Sequence, residues 1–329
     1  MKTRSLPVLF ATLLAFVSPA YADQTGEEIL KAVVKVRSIV PKEAPTASTL
    51  GTEREGNGVV IDSQGNILTI GYLIAEAETI EVIGPEGKTI KAHLVCYDHN
   101  TGFGILRTEK PLDVVPMKFG EAAKVKEGDQ VLVAGYGGTD SAIGARVISR
   151  KEFAGYWEYL LEDAILTTPP FANFGGAALI SREGRLLGIG SLFTQILVPG
   201  FGLIPGNVFV PIDLLPPILA DLLKTGRSGK APRPWLGINV EEAHGRVFIT
   251  RVTKGSPAEK AGLQVGDLIL TVGGKAVNGL ADFYRKVWAL GNAGVEVPLS
   301  LLQGIQVKSI TVHSGDRYQF LQLQPKKII

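Results

Sequence analysis

The chain has one cysteine, Cys96, in 329 residues, so no intramolecular disulfide framework can hold it together. Two methionines and four histidines (His93, His99, His244, His313) leave few parts for metal or acid–base chemistry. Charge of one sign is equally scarce. Against 34 Lys and Arg stand 32 Asp and Glu, which excludes the basic footprint of a nucleic-acid or acidic-membrane partner. Long apolar runs are also lacking beyond the N-terminus. The uncharged stretch 186–212 is broken by Gly188, Gly190, Pro199, Gly200, Gly202, Pro205, Gly206 and Pro211, so it does not read as a spanning helix. What is present is globular: 45% apolar residues, 39 Gly and 19 Pro, with length enough for more than one core.

The first residues carry Lys2 and Arg4, an apolar stretch from Leu6 to Val17, and Ala20-Tyr21-Ala22 before Asp23. That is the layout of a secretory signal peptide, with cleavage expected after Ala22 and export to the periplasm. An uncleaved anchor is the alternative. From Ala32 to Ile212 short Val/Ile/Leu runs alternate with Gly, Asn or Asp turns, which predicts an all-β barrel or sandwich. Within it, 40–57 reads as a solvated loop, and 186–193 and 207–212 as two strands separated by a Gly/Pro loop. The apolar centre of that loop, Ile196-Leu197-Val198 and Phe201, is expected to pack in the core, with a contact surface as the alternative.

After Ile212 the period changes. Residues 214–224 have helical apolar spacing, with Pro216 and Pro217 at the start and Gly226 as a stop. Residues 224–234, carrying Lys224, Arg227, Lys230 and Arg233 among Gly and Pro, read as a solvated linker. From Trp235 a mixed α/β module follows, in which Ser256-Pro257-Ala258-Glu259 supplies an N-cap, a first-turn Pro and a capping-box acid. The expected division is 1–22 signal peptide, 23–223 first domain, 224–234 linker and 235–329 second domain.

The second module resembles a PDZ domain of HtrA/DegP-like proteins through WLGI at Trp235–Ile238 and GSPAEKAGLQVGDLILTVGGKAV at 255–277. The resemblance implies that Trp235, Leu236, Gly237 and Ile238 form a loop whose backbone N–H groups receive a peptide's terminal carboxylate. The first module resembles the trypsin-like barrel of the same family through GNGVVIDSQGNILTI (56–70), TGFGILR (101–107), EGDQVLVAGY (127–136) and NFGGAALISREGRLLGIG (173–190). The implied fold is mostly β, a trypsin-like double β-barrel followed by one small α/β PDZ domain.

That family hydrolyses peptides with an activated serine, and the quoted motifs show where its triad should fall. The histidine position holds Tyr72, the aspartate position Gly102 and the serine position Phe174, while Ala172 replaces a glycine of the oxyanion loop. Serine chemistry needs a hydroxyl, a base near pH 7 and a group that orients the base. Phenylalanine has no lone pair, a phenol of pKa about 10 is a poor base, and glycine has no side chain. The expectation is therefore a pseudoprotease and not an enzyme, with Tyr72 and Phe174 stacking to close the old cleft. A pocket for a hydrophobic ligand or partner side chain is the alternative.

The nearby set His93, Cys96, Asp98 and His99 could ligate a metal, but strand alternation puts Cys96 and Asp98 on one face and the two histidines on the other. No metal and no cofactor are expected. The leading expectation is an exported noncatalytic scaffold or adaptor that binds C-terminal or extended peptides of envelope proteins, or an active protease. The alternatives are an active HtrA/DegP-like serine endopeptidase of periplasmic quality control, and a ligand- or metal-binding assembly factor. Homo-oligomerisation, common in the family, stays open.

Overall fold

Strands dominate the computed structural model, which describes residues 25–321; the signal-peptide reading lies outside them. A capped helix α1 (Gly26–Lys31) leads into β1 (Val33–Ile39), short helix α2 (Ala47–Leu50), β2 (Glu53–Val60), β3 (Asn66–Ile70), β4 (Thr79–Ile83), β5 (Thr89–Tyr97) and β6 (Phe103–Thr108). Six antiparallel strands close into a barrel in the order β1-β2-β3-β6-β5-β4. A second barrel holds β7 (Gln130–Ala134), β8 (Ala142–Gly155), β9 (Tyr159–Thr168), β10 (Ala178–Ile180), β11 (Leu186–Val198) and β12 (Gly202–Pro211), closed as β10-β11-β12-β9-β8-β7. Closure pairs every edge, which suits barrels made of such short, branched apolar runs. One core runs through both, built on residues such as Val36, Ile67, Phe103, Val133, Ile165 and Phe209.

Helix α3 (Pro216–Thr225) follows, its prolines at the first positions and Gly226 left-handed at its end. The last unit holds β13 (Ile238–Ala243), β14 (Arg246–Val252), α4 (Pro257–Ala261), β15 (Leu268–Val272), β16 (Lys275–Ala276), α5 (Leu280–Trp288), β17 (Glu296–Gln303), β18 (Gln306–His313) and α6 (Arg317–Phe320). Its main sheet runs β13-β14-β15-β17-β18, so β13 is an edge strand. The molecule is mostly β, two closed barrels followed by a smaller mixed α/β unit, the architecture that the resemblance implies. No helix of the described residues is long and apolar enough to cross a membrane.

Three local expectations differ from the structure. Residues 40–57 are not one loop, because β2 begins at Glu53 and Asn57 is buried. The side-chain amide of Asn57 donates to the carbonyls of Asn173 (2.7 Å) and Gly175 (3.1 Å), and its Oδ1 accepts from the Tyr136 amide. A polar residue thus ties the two barrels together, which polarity alone misread as exposure. Second, β11 and β12 continue past the expected loop as a hairpin arm, with Pro205 opposite Gln195 and a turn at 199–201. Alternation along this arm buries Ile196 but leaves Leu197 66% and Phe201 82% exposed, so they do not join the core.

The third difference is the linker. The Arg227 guanidinium lies over Tyr318 at 4.6 Å and meets Asp316 at 3.4 Å, and Arg233 stacks on Trp288 at 4.2 Å. Two of the four cations pack against the last unit, because a planar guanidinium combines charge with an apolar face.

Candidate functional site

Tyr72, Gly102 and Phe174 line one cavity of about 360 Å³ between the barrels and the last unit, shared with Ser191, Leu192, Tyr159, Trp157, Gly237 and Ile238. Tyr72 follows β3 in a single 3-10 turn, and Arg54 fixes that turn. The buried Arg54 guanidinium donates to the carbonyls of Tyr72 (2.7 Å), Ala75 (3.0 Å) and Gly51 (3.2 Å) and to the Thr46 hydroxyl (2.8 Å). Burial lowers its pKa, against the attraction of Glu76 and Tyr97. The Tyr72 hydroxyl donates to the Ser191 carbonyl at 2.9 Å. Burial, then Tyr97, pushes its pKa further above the ordinary phenol value, so it stays protonated.

Tyr72 and Phe174 are not among the paired rings of the described residues, so the expected stack is absent and the cleft is not closed by it. The hydroxyl's bond to β11 instead ties the Tyr72 ring to the cavity wall. Phe174 sits in the turn before β10, where its carbonyl accepts from the Ala177 amide at 3.0 Å. Gly102 has φ 84° and faces Tyr159, whose hydroxyl donates to the Thr101 carbonyl at 2.6 Å.

Around β5 the faces assigned to the four metal-capable side chains from strict alternation do not hold along the whole strand. The β5–β6 register shifts between Leu94 and Cys96, so the alternation assumed across that point fails. Cys96 is fully buried, with its thiol pKa pushed up to about 12 by burial. Asp98 is a structural acceptor for the Thr101 amide and hydroxyl and for the Tyr318 hydroxyl at 3.0 Å. His93 is half-buried, and His99 lines the cavity with neither ring nitrogen hydrogen-bonded. Burial, then Arg317 and Arg227, pushes the His99 pKa well below its usual value, so the ring is neutral. Among the described residues no group of three or more His, Cys, Asp or Glu side chains is arranged to hold a metal ion.

The second half of the site is the loop before β13. The amides of Leu236, Gly237 and Ile238 all point at one carboxylate, that of Glu158, at 2.9, 2.8 and 3.2 Å. Gly237 has φ 84°, and a Cβ there would lie 2.3 Å from Ser256, so only glycine fits the turn that aims these donors. Trp235 does not join them. Its amide donates to the Gly315 carbonyl at 3.1 Å and its ring packs on Phe320 at 4.6 Å, supporting the loop from behind. Glu158 belongs to the tip of the β8–β9 hairpin, a site residue with no sequence signal, since nothing local to it marks a contact 78 positions away.

Residues 56–189 match the family described as trypsin-like peptidase domain, and residues 234–313 the PDZ domain family. The "Probable periplasmic serine endoprotease DegP-like" of Pseudomonas fulva is 28% identical over 297 residues, 84% of this chain and 60% of that protein. The "Probable periplasmic serine protease do/HhoA-like" of Haemophilus influenzae is 30% identical over 271 residues, 75% of this chain and 55% of that protein. The "Periplasmic pH-dependent serine endoprotease DegQ" of Escherichia coli is 26% identical over 312 residues, 84% and 66% of the two chains. The chain thus spans a little over half the length of the first two relatives. Among solved structures, an HtrA-type protease with a decapeptide superposes with TM-score 0.52 at 21% identity, covering 88% of this chain and 98% of that one. The serine endoprotease from Yersinia pestis gives 0.51 at 23%, with 90% and 99% covered. These likenesses concern the fold.

The comparisons correct one expectation. That the chain is not an enzyme conflicts with relatives that are named serine endoproteases, at about 28% identity. The expectation rested on the residues at positions 72, 102 and 174 and on Ala172 in the oxyanion loop, and so spoke to one catalytic constellation.

Proposed function

We propose that this chain, of the HtrA/DegP-like family that joins a trypsin-like peptidase domain to a PDZ domain, acts on polypeptides in the periplasm, binding them through the PDZ unit and hydrolysing them as its relatives' names state. The observation that carries the reading is the shared cavity, whose wall is formed on one side by the barrel positions 72, 102 and 174 and on the other by Gly237 and Ile238 of the PDZ loop. A polypeptide held by the PDZ edge strand β13 would lie beside that cavity. Leu236, Gly237 and Ile238 are the proposed receivers of a terminal carboxylate, because their amides already converge on one. The 224–234 segment is the proposed boundary between the units. Periplasmic location follows the relatives.

Hydrolysis by acyl transfer needs a hydroxyl and a neutral base. Phe174 and Gly102 supply neither, whereas Ser191 and His99 both line the cavity, and the His99 ring is neutral with both nitrogens unpartnered. Both are candidates for these roles because they share the cavity with positions 72, 102 and 174.

The test incubates the purified chain with an unfolded protein and follows fragments by mass spectrometry. Fragments that appear with the wild-type chain and are lost in Ser191→Ala support the proposal. Their absence under all conditions would remove the hydrolytic half, and failure to bind any C-terminal peptide would remove the binding half.

A further inference from the structure

The contacts of Glu158 extend beyond a single ion-like site. The hairpin tip 155–158, between β8 and β9, lies between the edge strand β13 and helix α5. The Val240 amide donates to the Tyr156 carbonyl at 2.9 Å, while the loop amides 236–238 hold the Glu158 carboxylate. Residues 156 to 158 therefore run against 240 to 236 in the antiparallel sense of an added strand. From the helix side, the Tyr284 hydroxyl donates to the Gly155 carbonyl at 2.6 Å and accepts from the Glu158 amide at 3.1 Å. Leu160, from β9, joins the core cluster of the PDZ unit with Leu236, Ile238 and Val240, and Ala154 packs against that cluster.

Each recognition element of a peptide-binding groove thus has an occupant from the barrel. A carboxylate sits on the loop amides, a main-chain carbonyl on the edge strand and an apolar side chain on the core. The tip also holds an awkward backbone to do so, since Glu158 has φ 56°, where glycine or asparagine is the usual resident. Glu158 is only 7% exposed. Burial raises its pKa, against the three amide bonds and Arg317, which favour the charged form.

We propose that the β8–β9 hairpin tip is an internal ligand that occupies the PDZ groove, with the Glu158 side chain standing in for a C-terminal carboxylate, so that a peptide ending in a free carboxylate binds only by displacing it. This rests on the peptide-binding reading above and adds the competitor. Trp157 of the tip and its neighbour Tyr159 line the barrel cavity, so displacement also removes part of that cavity's wall.

The experiment uses the full chain, Glu158→Gln and Glu158→Gly, the latter relieving the backbone at φ 56° so that a folding defect is not built in. The probe is a fluorescein-labelled pool of short peptides ending in Val, Leu, Phe or Tyr, free or amidated at the C-terminus. Hydrogen exchange over 235–240 is followed in parallel. Expected are at least tenfold tighter binding of free-carboxylate peptides by both variants, no gain with amidated peptides, and at least tenfold faster exchange in that segment. Equal peptide affinity with unchanged exchange overturns the internal ligand and leaves the peptide reading standing. Faster exchange without peptide binding by any of the three proteins overturns the displacement, and with it the peptide reading.

Discussion

The Tyr159 hydroxyl stands where a side chain at Gly102 would begin: a Cβ added to Gly102 would lie 2.9 Å from it. With φ 84° at the same residue, the position is set by its neighbour and by its backbone together. Gly102→Asp should therefore destabilise the fold by about 1–3 kcal/mol. Tyr159→Phe, which removes the crowding oxygen, should make the same substitution cost less. Urea midpoints of the two single variants and the double variant decide this, and additive effects would contradict the contact.

Acid should weaken the fold through His99, whose ring packs on Tyr97 (4.2 Å) and Tyr318 (4.8 Å) and stays neutral. An unfolded histidine takes up a proton as the pH falls through about 6.5. The folded one, with its pKa depressed, does not, so the unfolded state binds more protons and stability declines as pH drops below that value, by up to about 1.4 kcal/mol per unit. His93, also depressed by burial and Arg107, adds in the same sense. His99→Phe should flatten the slope of unfolding free energy between pH 6.5 and 5; an unaltered slope would mean that another group carries it.

Arg54 should matter more than any exposed ion pair. Arg54→Met removes the donor from the carbonyls of Tyr72, Ala75 and Gly51, at about 1–3 kcal/mol for the buried Ala75 acceptor left without a partner and less for the other two. Besides a lower urea midpoint, the loosened turn should change the fluorescence of the aromatic residues around the cavity.

At the hairpin's junction with the PDZ unit, the buried Leu160 should matter more than the exposed bridges of Arg285. Arg285 bridges Glu152 and Glu162 across the junction, yet it is nearly half exposed, so Arg285→Ala should cost less than about 1 kcal/mol and less still in high salt. Leu160→Ala, emptying a buried position in the PDZ core, should cost about 2–4 kcal/mol. Thermal unfolding of the two variants orders these contributions, and a larger loss for Arg285→Ala would reverse the assignment.

Much of this architecture was legible because its signals are local. The alternating runs announced strands, Pro216 and Gly226 bounded a helix, and Ser256 with Pro257 announced another. What stayed hidden depends on distant partners. Asn57 looked like loop polarity until the Asn173 and Gly175 carbonyls arrived beside it; Arg233 looked solvated until Trp288 lay under it. The register shift at Leu94 undid a face assignment based on strict alternation. Glu158 was unreadable for the same reason, since its role is written in amides of another unit.

The β11–β12 arm carries a last consequence. Past the barrel, residues 194–198 and 202–206 pair only with each other among the described residues, whereas the roots of the same strands pair on both sides with β10 and β9. A two-stranded ribbon is marginal alone. One continuous strand should therefore have two lifetimes, its outer amides opening to deuterium in moments while its inner ones wait for the whole barrel to come apart.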